Sequence, residues 1–372
     1  MNNRYFPIVR AKQGEIEALA NLKASVLKRC TAVFEVTKLD GQDLERAQKR
    51  SDTPYEYYLR SRAEQIASIY KGRRAIVDIS QWPLGITTEG GEQILSFLCN
   101  RLNELGVVAC PIIGYDRWDS VEYREMIRTT KLSKRAYFCI RLDSIALEDL
   151  GDPEHFVGVM EDIISLVNLS EADTRILIDL GDVTRISMED IVKHIEDAYS
   201  MVKSIGFEYV IMAGSSIPDS IEKAVKQPDS TGVVQRREVI AWKGFMDANP
   251  AASLYFGDYG IRNPRASDTI APDMNVKIRY TIENSFFIAR GHSVRKEHGY
   301  AQSQILSRII VESPHFMEGF SWGDDKIEAC SRGELIGNST NWIAFDTNHH
   351  VSTVVAEVRE FTAQLQTISE RA

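Results

Sequence analysis

Residues 253–260 read SLYFGDYG, and residues 175–182 read RILIDLGD. Each is a short apolar run that ends on an aspartate beside glycine. A single ending of this kind is an ordinary turn, because Gly and Asp are common turn residues. The chain repeats it. AIVDIS (75–80) and YFCIRLD (137–143) are also short apolar runs that arrive at a charged group. Unbroken apolar runs of this length suit parallel strands buried on both faces.

Working outward, the same kind of run occurs at FPIV (6–9), VVACPII (107–113), YVIMAG (209–214) and NSFFIARG (284–291), which makes eight. Helical patterns lie between them, at residues 14–29, 91–106, 118–132, 153–169, 188–206 and 216–226. Gly106 and Gly206 close two of these, as glycine does at helix ends. Alternation of strand and helix along the chain predicts an α/β protein with a parallel sheet. Eight runs favour a closed (β/α)8 TIM-like barrel over an open doubly wound sheet. No GxGxxG or GxxxxGK[ST] follows any run, so the nucleotide-fold fingerprints are missing. The barrel is expected over residues 1–313. Residues 314–372 are expected to add an elaborated C-terminal region, with a loop over 320–350 and a terminal helix over 351–371.

The composition, 44% hydrophobic and 26% charged in 372 residues, is that of a folded globular chain. No apolar run reaches the roughly 18–20 residues that span a bilayer. The N-terminus shows no secretory leader pattern. A cytoplasmic location without membrane contact is therefore expected. The net charge of −9 argues against a broad non-specific nucleic-acid binder. It leaves room for a local basic pocket. Five cysteines without a CxxC spacing read as buried reduced thiols. The histidines show no metal pattern; His349 and His350 are adjacent, and HExxH is absent.

In a barrel of this type, ligands bind at the C-terminal ends of the strands. That rule nominates Asp78, Asp179 and Asp258 as acid–base groups, or as oxygen ligands for a divalent ion such as magnesium. It nominates Arg10, Lys12, Arg141 and Arg290 as cations for phosphate or carboxylate, with Glu15 one helical turn beyond Lys12. Ser215 and Ser216, in MAGSSIP, precede an expected helix N-terminus that would offer N–H groups to an anion. Helix capping accounts for the two serines equally well. Salt bridges around a barrel rim account equally well for the strand-end charges. Trp322 and Trp342 either pack the C-terminal region onto the barrel or present a contact surface.

YFPIVRAKQGEIEAL at the start, then VDISQWP, MAGSSIPDS, Trp242 to Phe245 and the strand ending GDYG resemble the beta protein of T-even bacteriophages and its bacterial relatives. The resemblance extends over most of the chain. It implies a setting in phage–host conflict rather than a particular reaction, and recurring positions at Lys12, Glu15, Asp78, Asp258 and Tyr259. Two classes of function follow. One is action on a phosphate-bearing substrate, a nucleotide or nucleic acid. The other is a non-catalytic binding, sensor or inhibitory role toward a protein partner.

Overall fold

A computed structural model describes residues 4–266 and 273–369. In chain order the strands are β1 (Tyr5–Arg10), β2 (Val33–Glu35), β3 (Arg74–Asp78), β4 (Val108–Gly114), β5 (Cys139–Leu142) and β6 (Arg175–Asp182). They continue with β7 (Tyr209–Ser215), β8 (Ser230–Gln235), β9 (Leu254–Asp258), β10 (Asn275–Ile282) and β11 (Ser285–Ser293). Strands β1 to β7 and β9 form a closed parallel barrel. Strand β1 closes it, pairing Ile8 with Val33 on one side and Tyr5 with Phe256 on the other. The expected (β/α)8-type barrel is present.

Side chains alternate along each strand, so every strand feeds two cores. Phe6, Ile8, Val33, Ile76, Leu177 and Ile211 fill the barrel. Val9, Phe34, Val77, Ile140, Ile178 and Phe256 join a larger core under the surrounding helices. Both faces are apolar, which is why the runs read as continuous. The helix Met188–Ile205 starts where Ser187 accepts a hydrogen bond from the Asp190 N–H, and ends on Gly206 at φ 114°. All five cysteines are buried thiols. No helix among the described residues is long and apolar enough to cross a membrane.

One of the eight strands differs from expectation. NSFFIARG lies in β11, within a three-stranded antiparallel sheet ordered β10–β11–β8, outside the barrel. The missing barrel strand is β2, three residues long and ending on a glutamate. It is too short to carry an apolar pattern. Two helices are also shorter than the sequence suggests. Residues 14–29 split into Gln13–Ala20 and Ala24–Leu27, and residues 216–226 retain only Ile221–Ala224.

The stretch 320–350 is helical rather than looped. Trp322–Ser331 opens on a capping box between Ser321 and Asp324, and Ser339–Ser369 is a single 31-residue helix. Its polar residues Asp346, Asn348, His349 and His350 are fully buried. Hydropathy therefore hides its first part, while the part from residue 351 onward is the expected terminal helix. The antiparallel sheet packs Val276, Ile278 and Tyr280 against these helices, with Trp342 and Phe345 in the same core. Trp322 stacks edge-on to Phe345, their centroids 5.2 Å apart, so both tryptophans pack the region together. Gly14 lets the first helix meet the last, because a Cβ there would lie 2.8 Å from the Thr340 carbonyl oxygen.

Barrel closure is tightest at Gly257, where a Cβ would lie 2.6 Å from the Phe6 carbonyl oxygen and 3.3 Å from that of Met212. Backbone on both sides cannot yield as a side chain would. Gly257→Ala is expected to lower unfolding stability by about 1–3 kcal/mol in urea titration. Gly244→Ala, in open space on the helix Arg237–Ala248, is expected to be neutral or to stabilise by up to ~1 kcal/mol.

Candidate functional site

The barrel interior is layered. At its N-terminal end the Arg175 guanidinium lies 4.0 Å from the Tyr209 ring centroid and 4.9 Å from that of Tyr137. Tyr209 stacks on Tyr255 at 4.1 Å. This layer stoppers the barrel. Above it is the aliphatic layer, and above that a layer of charge.

Arg141 is the centre of the charged layer. Its Nε and one terminal nitrogen donate to Asp179 Oδ2 at 2.9 and 2.7 Å. Both terminal nitrogens reach Glu35 Oε1 at 3.2 Å, and one also donates to Asp78. The Tyr259 hydroxyl accepts from Arg141 at 2.7 Å and donates to Asp179 at 2.7 Å. All five residues are close to fully buried. Burial opposes the Arg141 charge, but Tyr259 and the three carboxylates outweigh it and hold the proton firmly. A sequence-predicted set, Asp78, Arg141, Asp179 and Tyr259, is thus brought together with Glu35.

Asp258 lies elsewhere. It shares strand parity with Phe256, and so points out of the barrel toward the C-terminal helix. It accepts from the Tyr5 hydroxyl, from the Gly260 N–H at 2.8 Å and from Arg236 at 3.4 Å. His350 Nε2 approaches both its oxygens at 3.1 Å, while His350 Nδ1 faces the Thr281 hydroxyl at 2.8 Å. A neutral imidazole with its proton on Nε2 satisfies both contacts. Arg236 is in turn held by Glu357 at 2.7 Å. Burial would raise the Asp258 carboxyl, but His350, Arg236 and Tyr5 hold it below the usual carboxylate value. Burial also pushes the His350 imidazole down, against the pull of Asp258. The strand of SLYFGDYG ends on an acid because that acid ties the barrel wall to the last helix.

A cleft of about 980 Å³ opens at the barrel mouth, between the loops after β1, β7 and β9 and the cleft-facing side of the antiparallel sheet. Its described lining carries eight Lys or Arg side chains against five Asp or Glu. The excess is positive in a chain whose net charge is −9. Arg262 Nε donates to Glu15 at 2.7 Å, yet its two terminal nitrogens are buried and lack hydrogen-bond partners among the described residues. Burial and the neighbouring Arg262 lower Arg10 to about 10. Burial and Arg10 likewise lower Lys12. Lys12 and Glu15 both line this cleft. Arg10 connects the cleft to the charged layer, since it senses the charges of Glu35 and Tyr259.

Ser215, Ser216 and Arg290 do not join the cleft. Ser215 donates to the Arg262 carbonyl at 2.7 Å; Ser216 donates to Glu238 and accepts from the Arg237 N–H at 2.8 Å. The helix expected to follow them begins only at Ile221 and is four residues long, so the two serines are not at its N-terminus. Arg290 sits in the antiparallel sheet rather than after a barrel strand, and donates to the carbonyls of Val225 and Lys226 at 2.7 Å. No group of three or more His, Cys, Asp or Glu among the described residues has the arrangement to hold a metal ion. Sequence reasoning missed Glu35, Arg236, Arg262 and Lys277. Arg262 left a signal, four residues beyond the aspartate of GDYG, and Arg236 lies in the basic stretch QRR at 235–237.

An eight-stranded parallel barrel with a cationic cleft at its mouth is the class of protein that these features define. The chain belongs to the Beta protein family, whose sequence profile matches residues 5–356. No curated protein matches it significantly. Among solved structures, one match is a GH138 enzyme targeting pectin rhamnogalacturonan II, at 9% identity and a TM-score of 0.30. That match covers 83% of this chain and 41% of the enzyme, and at such a score it carries no functional information.

Asp258→Asn leaves Arg236 short of a buried partner, and is expected to cost about 3–5 kcal/mol of unfolding free energy in urea titration. Stability should also decline as pH falls below about 6.5, because the unfolded chain protonates His350 there while the folded chain resists until lower pH. Asp258, with its folded value below the unfolded ~3.9, adds a further decline near and below pH 4. His350→Asn should flatten the first decline in a pH series of urea midpoints and shrink the second, because Asp258 is then held down by Arg236 and Tyr5 without the imidazole.

Proposed function

We propose that the cleft binds a phosphate-bearing ligand, a nucleotide or a segment of nucleic acid, with Arg262, Arg10 and Lys12 as its anion contacts. The carrying observation is Arg262: two buried terminal nitrogens without partners among the described residues, on a side chain anchored by Glu15. An unpaired buried donor is costly, and an anion oxygen would remove that cost. The depressed Arg10 and Lys12 support the same reading, since a bound anion relieves repulsion among crowded cations. The volume suits a ligand of nucleotide size or larger.

In this reading Asp78 and Asp179 hold Arg141 as the floor beneath the site, and Asp258 positions the last helix. Ser215 fixes the β9 loop that carries Arg262, through the Arg262 carbonyl. Membership of the Beta protein family supports the phage-related setting that the sequence resemblance implies.

The test is calorimetric titration and thermal shift with orthophosphate, nucleoside phosphates and short oligonucleotides. Native-state binding raises the unfolding midpoint by mass action. Arg262→Gln is expected to weaken the tightest ligand by about tenfold or more, corresponding to the loss of a charge-assisted hydrogen bond. A wild-type protein indifferent to every phosphate compound overturns the reading in favour of a protein partner.

A further inference from the structure

The cleft-facing side of the antiparallel sheet carries a row of cations. Along β10, Val276, Ile278 and Tyr280 enter the helical core, which leaves Lys277 and Arg279 on the opposite face, where both line the cleft. Across the ladder Lys277 is registered with Arg290. Two of these three cations have hydrogen-bond partners. Arg279 donates to Asp346 and to the Ile261 carbonyl, each at 3.1 Å. Arg290 donates to two carbonyls at 2.7 Å. Lys277 makes no hydrogen bond and no ion pair among the described residues, although it is far from fully exposed. Glu222 and Asp346 are near enough to influence it but lie beyond ion-pair distance.

We propose that Lys277 is a nucleophilic amine that condenses with the carbonyl carbon of an anionic ligand held in the cleft. This rests on the anion reading above. A lysine kept merely as a counter-charge would be served by a carboxylate at contact distance. A lysine kept as a nucleophile must lose its proton, and like-charged neighbours with burial achieve that. Burial and the adjacent Arg279 lower Lys277 to about 8, against the opposing pull of Asp346 and Glu222. The neutral amine attacks the carbonyl carbon and forms a C–N bond. The C–O bond then breaks, the amine's two protons leave with that oxygen as one water, and an imine remains. No oxidant or reductant is consumed.

The probes are pyridoxal phosphate, an aldehyde carrying phosphate, and pyridoxal, which lacks it. The full-length protein is incubated with each, trapped with borohydride and mapped by peptide mass spectrometry. Lys277 is expected to be the dominant site, with a rate half-maximal near pH 8, and to react about tenfold faster with the phosphorylated aldehyde. Lys38, whose side chain is 51% exposed, is the internal reference. Lys277→Arg should abolish labelling at that position and retain the thermal shift with phosphate ligands. Labelling of Lys277 no faster than of Lys38 overturns the proposal, and leaves the cleft reading intact if pyridoxal phosphate still binds. Rapid labelling at equal rates by the two aldehydes supports the reactive amine and overturns the anion reading.

Discussion

A guanidinium inside a closed barrel must be matched where it stands, because little water reaches it and its charge does not leave at any ordinary pH. Arg141 is such a group. Its partners come from β2, β3 and β6 and from the residue after β9. Shifting any of these strands by one residue would turn its carboxylate out of the barrel and leave part of the charge unmatched. The network therefore selects one register for half the barrel. Its contribution is specificity of arrangement more than net stability, since desolvation cancels much of the attraction.

Above that floor the mouth is electrically divided. Glu35, Asp78 and Asp179 surround Arg141, while Arg10, Lys12 and Arg262 gather toward the cleft. The second wall of the cleft comes from outside the barrel, as the face of the antiparallel sheet that bears Lys277 and Arg279. That sheet is held by the C-terminal helix, which His350 ties to Asp258 and Gly14 allows close to the first helix. Packing behind the barrel thus sets the position of a charge at its mouth.

Seven barrel strands are legible because both of their faces are buried, so burial writes itself into the sequence as unbroken apolar runs. β2 is not legible. Three residues ending on Glu35 carry no pattern, and the apolar run at 284–291 imitates a barrel strand in its place. The first part of the last helix, residues 339–350, is hidden by the opposite effect: it buries polar residues, several of them held by partners distant in sequence, such as Asn348, which donates to the Ala18 carbonyl, while the remainder matches the expected terminal helix. Within the site, strand ends correctly mark where charge collects. They do not mark which way each charge faces, and that separates Asp78, Arg141 and Asp179 from Asp258.

The sequence by itself determined the barrel, the cores on both sides of its wall and the set of charges at the strand ends. Local periodicity and chain order suffice for these, because they depend on what each residue must bury. The tertiary structure decided the partners. Whether Asp258 meets a ligand or His350, whether Arg262 finds enough acceptors, and whether Lys277 has a counter-charge depend on segments tens to hundreds of residues apart. Electrostatic matching is a property of distance in space, and one sequence read along its length does not contain that distance.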